Sequence, residues 1–512
     1  MKINRKDLSE NSWIVRFILY GVVVIFFLVL IYYVKLSQVG VQNQPQNQSE
    51  SQTEAAPPEQ IIPAAFAFPG AEGFGSSTPG GRYGQIVFVS NLNDTIDVAS
   101  PDYEGSLRWA LEQSLPKNSA DPYSQRRIVV FKVGGVISLV DQLTLMHPFV
   151  TIAGQTAPGD GIVLTGNTMV ISTHDVIVRG IRIRVGDLGG PTCCLDGINI
   201  STHNAIGDVY NVIIDHGSVS WAIDENLSTW IDPEKPYTAR DITIQWSVIS
   251  EGLHNSVHID EGATTTDPHS MGAILGQDGT NMTVHHNIFA HNWARNPRIS
   301  GIINSEIINN VIYDWGNAAV EINKDKNITH ILNNYFRAGL TSRHEEISLS
   351  NTMHPESQVY ISGNLTYDPR DSTRFLKPRF ELPENFTVSR KLLFAPSDVT
   401  MTPAKTAYEL VLNFAGAISP VRDEVDQRIV DEVRNGNGEI IDSQDQVGGW
   451  PTYRGGVYPE DNDNDGIPNE WEIAHGINPN FAGDANSNNF LAPSGYTWVE
   501  EYINSMIIFT SQ

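Results

Sequence analysis

The sequence predicts an all-β solenoid, a parallel β-helix, and three observations carry that prediction. Short β-branched units recur along the middle of the chain: VIVRGIRI, VIIDHGSVS, ITIQWSVIS, MTVHHNIFA, EIINNVIYD, THILNNYFR and VYISGNLTY. With Gly180, Gly217, Ser247, Asn287, Asn310, Asn334 and Asn364 as equivalent points, the intervals are 37, 30, 40, 23, 24 and 30, a base period near 23 with insertions. Finally, 42 Gly and 28 Pro in 512 residues favour turns over long helices. Each unit is too short to bury its own face, so stacking coils is the physical solution. Aligned Asn side chains in the turns then form a hydrogen-bonded ladder. A sandwich or propeller needs paired hairpins with regular turn signals, which unequal insertions between single strands do not provide.

The elements follow in order. Residues 1–13 form a basic cytoplasmic tail. Residues 14–35 form a transmembrane signal-anchor, built on the uncharged run FILYGVVVIFFLVLIYYV from Phe17 to Val34. Lys2, Arg5, Lys6 and Arg16 precede that run, and after Lys35 no basic residue appears before Arg82, so the rest of the chain is expected outside the membrane. A cleaved signal peptide is the alternative, although the apolar run is long for one. Residues 36–63, rich in Gln, Ser, Glu and Pro, read as a disordered linker. Residues 64–450 hold the β-helix and residues 451–512 a calcium-binding module. The chain is thus exported to the extracellular or periplasmic face, membrane-anchored or secreted.

With 33 basic and 59 acidic residues the net charge is −26, which disfavours nucleic acid and favours cations. The two cysteines, Cys193 and Cys194, are adjacent, so no disulfide framework supports the fold.

In the C-terminal region DNDNDGIPNEWE sets Asp461, Asp463, Asp465, Gly466 and Glu472 at positions 1, 3, 5, 6 and 12 of an EF-hand-type loop. Alternate oxygens wrap a calcium ion, Gly466 permits the sharp turn, the Ile467 carbonyl takes position 7, and Glu472 binds with both oxygens. No helix precedes the loop, so it looks like a dockerin-like or thrombospondin-type module. A weaker second loop follows, with Asp484, Asn486, Asn488, Gly495 and Glu501; the alternative is a polar linker before a terminal helix.

The segments AFPGAEGFG (67–75), GGRYG, GSLRWAL (105–111), VTIAGQTAPGDGI (150–162), NVIIDHGSVSW (211–221) and WARNPRIS (293–300), in this order, resemble polysaccharide lyase family 1, the pectate lyases. The resemblance runs over about residues 67 to 450, including AGAISPVRDEVDQRIVDEVRNGNGEIIDSQ. It implies a right-handed parallel β-helix and calcium-dependent β-elimination of pectate, an acidic polysaccharide, by a monomer. That reaction removes the proton α to the C6 carboxylate and expels the C4-linked sugar. A hard cation on the carboxylate stabilises the resulting charge.

By the resemblance, Asp196 matches a calcium ligand, with Asp224 and Glu225 of SWAIDEN as further ligands; their alternative is capping of turn N–H groups. Arg295 takes the first arginine of the R-x-P-R motif, the family's proton acceptor. A free guanidinium is essentially always protonated, so either its surroundings depress its pKa or it acts by charge. Arg298 would bind a substrate carboxylate through its planar fork. Asp215 and His216 of IIDH read as structural partners. Where many relatives carry a substrate-binding lysine, this chain reads SEGLHNSVH and has no lysine until Lys324. His254, or else His258, is expected to substitute, and strongly methylated pectin becomes an alternative substrate. His285, His286 and His291 are not expected to form a metal site, because His285 and His286 should face opposite sides of a strand. A hydrolase on the same scaffold, or a non-catalytic adhesin, remains as the competing reading.

Overall fold

The computed structural model describes residues 65–112, 123–189, 192–260, 263–370, 375–384 and 386–507. The expected anchor at 14–35 and linker at 36–63 lie outside the described residues. Among the described residues no helix is long and apolar enough to cross a membrane.

Residues 61–512 form one compact unit. Its strands stack into three sheets of ten, nine and ten strands, most coils contributing one strand to each and nearly all pairing parallel. This is a parallel β-helix, and strand–crossover–parallel strand connections take the right-handed sense. Sheet 1 contains Val209–Asp215, Ala239–Gln245, Thr280–His285 and Ile303–Ile308. Sheet 2 contains Ser218–Ser220, Val248–Ser250 and Ile288–Ala290, and sheet 3 contains Ile198–Ser201, Glu225–Trp230, Met271–Gly276 and Arg298–Ser300. Alternate residues such as Val212, Ile214, Ile242, Ile244, Met282 and Val284 fill the interior in columns. Burial of the outer face as well explains why these strands are apolar almost throughout.

From Val176–Arg179 onward, two residues make the turn from sheet 1 to sheet 2. The first adopts a left-handed conformation: Gly180, His216, Trp246, His286, Asn309, Asn333 and Gly363 all have φ between 48° and 70°. Gly, Asn and His visit that region most readily, and Trp246 does so because its neighbours hold it there. The second residue carries the expected ladder. Asn287 Nδ2 donates to Asn310 Oδ1 at 3.0 Å, Asn310 Nδ2 to Asn334 Oδ1 at 3.0 Å, and Asn334 Nδ2 to Asn364 Oδ1 at 2.9 Å. Ser247 and Gly217 continue it, Ser247 N donating to Asn287 and Gly217 N to Ser247 Oγ. One expected equivalence is corrected. Arg179 pairs with Asp215, so Gly180 matches His216 rather than Gly217, and the first interval is 36.

The outer faces are covered by segments that the repeat pattern does not predict. Phe68 and Ala71 pack on Ile177 and Ile213 of sheet 1. A Cβ on Gly75 would lie 2.5 Å from the Val212 carbonyl oxygen and one on Gly81 1.9 Å from that of Arg127, so only glycine allows this approach. Helices Ala404–Phe414 and Glu424–Asn435 cover sheet 2 through Val411, Leu412, Ile429 and Val433, against Val248, Ile288 and Val311. Asp423 caps the second helix by accepting from Asp426 N, and Gly436 ends it with φ of 77°. Arg184 then meets Asp423 and Asp426 at 3.1 and 2.8 Å in the buried seam.

Asn310→Leu should leave the Asn287 N–H and the Val284 carbonyl without their buried partners. We expect a loss of about 2–5 kcal/mol, measured by urea denaturation, whereas substitution of the exposed Asn488 should change stability by less than about 0.5 kcal/mol.

Candidate functional site

The insertions that lengthen the coils fall largely between sheet 2 and sheet 3, and the loops entering sheet 3 build one groove of about 950 Å³. Strand register sets its columns. Because Ile198 pairs with Leu227, Asp196 lies one coil from Glu225. Its Oδ1 accepts from Glu225 N at 3.1 Å, while its Oδ2 accepts from Asn199 Nδ2 at 2.9 Å and from the Ser228 hydroxyl. Asp196, Asp224 and Glu225 bring carboxylate oxygens within 4.8 Å of one another. Burial, and then the Asp224 charge, push the Asp196 carboxyl well up from its ordinary value. Burial also pushes Asp224 upward, but the hydrogen bond and charge of His269 outweigh it and hold Asp224 low. Three close carboxylates make a hard oxygen donor set of the kind calcium accepts.

Arg295 and Arg298 line the same groove. Arg295 sits in the left-handed region, with φ of 60°, and its guanidinium meets Glu225 Oε1. Burial, and then the Arg298 charge, bring Arg295 down to about 10. Arg298 pairs in register with Glu321 of the next coil, Nε to Oε2 at 2.7 Å, and Glu321 Oε1 also accepts from Arg295 N at 2.8 Å. One carboxylate therefore positions both arginines. A second amide chain supports them: Asn226 Nδ2 donates to Asn292 Oδ1 at 3.1 Å, and Asn292 Nδ2 to Asn296 Oδ1 at 3.0 Å. Asn226 follows Glu225 in the chain and Asn296 follows Arg295, so the backbones on both sides of the groove are tied together.

His254 is corrected. It does not line the groove; its ring stacks on Trp293 and its Nδ1 lies 3.0 Å from the His269 carbonyl oxygen. Further along the chain, His258 and His269 line the groove. These two imidazoles stack at 4.0 Å, His258 Nδ1 on Asp267 at 2.9 Å and His269 Nε2 on Asp224 at 2.9 Å. Lys324 also reaches the groove and, among the described residues, has no carboxylate within ion-pair distance. Cys193 and Cys194, free thiols, border it rather than packing the interior.

Asp215 and His216 lie outside the groove, as the structural reading expects. Arg179, His216 and Gln245 all meet the Asp215 carboxylate at 2.8 Å. Burial alone would raise it, yet the charges of His216 and Arg179 hold it well below the usual carboxylate range. His285 and His286 do not point apart as alternation along a strand would have them, because His286 occupies the left-handed turn that follows Thr280–His285. Their Nδ1 atoms come within 2.9 Å, and burial lowers His285 to about 3. His291 is held by Asp314 at 2.9 Å instead.

Sequence reasoning missed Glu321, His269 and Lys324. Glu321 was legible only through the register that puts it beside Arg298. His269 lay at the end of an insertion with no local motif.

In the C-terminal region Asp461, Asp463 and Asp465 converge as the loop spacing predicts. Ile467 is buried, its N–H donating to Asp465 Oδ1 at 2.9 Å, and Glu472 lies on the short helix Asn469–His475, which ends at Gly476.

A probable pectate lyase C of Aspergillus terreus (strain NIH 2624 / FGSC A1156) is 36% identical over 460 residues, spanning 87% of this chain and 95% of that protein. Its counterpart in Aspergillus fumigatus (strain CBS 144.89 / FGSC A1163 / CEA10) is 35% identical over 461 residues, spanning 88% and 95%. Among solved structures, the major allergen from cedar pollen aligns over 68% of this chain and 93% of its own, at 20% identity and a TM-score of 0.45. No family model matches the chain.

Proposed function

Because the chain belongs to the pectate lyase family, we propose that its groove cleaves pectate by calcium-dependent β-elimination, with Arg295 taking the proton. The observation that carries this is a desolvated arginine, lowered to about 10, beside three converging carboxylates. Asp196, Asp224 and Glu225 would hold the calcium. Calcium supplies positive charge that draws electrons from a uronate carboxylate and acidifies the adjacent C–H.

The chain's own residues do the rest. Burial and the neighbouring Arg298 destabilise the charged form of Arg295, so a fraction of the guanidine is free to accept the C5 proton as the C4 oxygen departs. Glu321 keeps the two arginines in position. Arg298 offers its fork to the substrate carboxylate, and Lys324 supplies the ammonium that the expected strand position lacks. Three groove carboxylates favour unmethylated over methylated polymer, since only the former brings a carboxylate for the shared cation.

The parts outside the described residues complete the reading: an anchor at 14–35 and a linker at 36–63 would hold a monomeric lyase on the outer membrane face. Residues 451–512 serve as a dockerin-like calcium module with no chemistry of their own.

Incubation with polygalacturonate should give ultraviolet-absorbing unsaturated products with calcium and none with chelator; new reducing ends without that absorbance would mean hydrolysis. Arg295→Ala should cost about 10²–10⁴-fold in kcat while leaving thermal unfolding in calcium unchanged, and a near-wild-type rate would remove Arg295 from the mechanism. Since only the deprotonated base reacts, kcat/KM should climb roughly tenfold per pH unit up to about 10. Lys324→Ala should raise KM with kcat nearly unchanged, whereas Glu321→Ala should lower kcat as well.

A further inference from the structure

Among the described residues the weaker second loop does not assemble as a site of its own. Of the residues named for the second, Asn486 turns to the β-helix instead. Its Nδ2 donates to the carbonyls of Gly81 at 3.2 Å and Gly84 at 2.9 Å, and its Oδ1 accepts from Tyr83 N at 3.0 Å. Glu501 accepts from the Ser494 hydroxyl at 2.6 Å, and Asn488 is exposed. Asp484 alone is left with a buried, unpartnered oxygen, and the next residue, Ala485, packs in one apolar cluster with Ile467 of the first loop.

Glu472 is fully buried, and neither of its oxygens has a hydrogen-bond partner. The same is true of both oxygens of Asp463, of Asp465 Oδ2 and of Asp484 Oδ1, all buried atoms. Among the described residues no ion pair reaches any of these carboxylates, although buried charges ordinarily find a partner. Asp461 is occupied differently. It accepts from Asp465 N and Gly466 N, each at 3.2 Å, which curls the loop around the cluster.

The loop rests directly on the β-helix. A Cβ on Gly466 would lie 3.1 Å from Ile86 and 3.4 Å from Val130, on the outer face of strands Gln85–Val89 and Arg127–Phe131. Ile467, Ala485, Val499 and Ile503 share one apolar cluster with Ile128, Val130 and Ala153. Lys132 donates to Asn464 Oδ1 at 2.6 Å, and Glu500 of the terminal helix Trp498–Ser505 pairs with Arg82 at 2.9 Å.

We propose that residues 451–507 hold a single calcium ion, that Asp484 from the second half-loop is one of its ligands beside Asp463, Asp465 and Glu472, and that this ion fastens the segment over the first coils of the β-helix. The inference deepens the reading of the first loop as a calcium site. All-oxygen ligation by carboxylates from two separated stretches selects a large hard cation over magnesium, which keeps its waters. Because the ion binds only where both half-loops are docked, it stabilises the docked state by mass action. None of these carboxylates lines the groove, so the site is separable from catalysis.

The test uses the full chain carrying Asp196→Asn, Asp224→Asn and Glu225→Gln, which remove all three groove carboxylates, with calcium chloride as the probe in calorimetric titration and thermal unfolding. One ion per chain and a calcium-dependent rise in Tm are expected. Adding Asp484→Asn should weaken that binding by at least about tenfold and abolish the rise in Tm, as should Asp463→Asn; Glu501→Gln should change neither. Circular dichroism without calcium confirms that each variant is folded. Two ions per chain, unchanged affinity in Asp484→Asn, or equal binding of magnesium would overturn the shared calcium site. Absence of binding even before Asp484 is replaced would overturn the first-loop reading itself, while unsaturated products from the otherwise wild-type Asp484→Asn chain would leave the lyase reading standing.

Discussion

Everything in this molecule hangs on the buried hydrogen-bonded turn between sheets 1 and 2. A parallel stack has no hairpins to set its register, and a slip by one residue would turn each inward column of Val and Ile outward. The left-handed residue at Gly180, His216, Trp246, His286, Asn309, Asn333 and Gly363 bends the chain at the same point in seven successive coils. The amides of Asn287, Asn310, Asn334 and Asn364 then lock each bend to the next. A missing partner in this ladder leaves polar groups in a dry interior, which makes the register costly to change.

With that edge of each coil held constant, length variation is confined to the other turns. The two widest intervals, 36 and 40, contain the loops that present Asp196 and the pair His258 and His269. The solenoid thus acts as a ruler, with strands roughly 4.8 Å apart, on which loops of unequal length place chemistry. Opposite charges in the groove come from different coils: Asp196, Glu225, Arg295 and Glu321 belong to successive or near-successive turns of the stack. Burial and the Arg298 charge lower Arg295, although the nearby carboxylates oppose that shift.

The outer surfaces of the stack are equally constrained. Sheet 1 is sealed by the glycine-rich segment near Gly75 and by the C-terminal loop near Gly466, sheet 2 by the helices that carry Val411 and Ile429. The seals are joined to the core by buried ion pairs, Arg184 with Asp423 and Asp426, and Arg82 with Glu500. Such pairs specify one docking geometry, because removing either partner strands a charge.

The amino-acid sequence alone determined the repeat, its ladder positions and the residue types that line the groove. Periodic β-branched units and recurring Asn are local patterns, and Asp196, Asp224, Glu225, Arg295 and Arg298 sit in short contiguous motifs. It did not determine which long-loop residues enter the groove. His254 is nearest the expected lysine position in sequence, yet His258 and His269 line the groove instead. Glu321 and Lys324 arrive from a later coil, and the buried, unpartnered carboxylate oxygens of Asp463, Asp465, Glu472 and Asp484 come from separate stretches of the chain. His286 faces His285 because a left-handed turn interrupts the strand alternation. The division has one physical cause: motifs and periodicity record what neighbouring residues do together, while contacts across coils depend on register and loop path, which only the assembled stack decides.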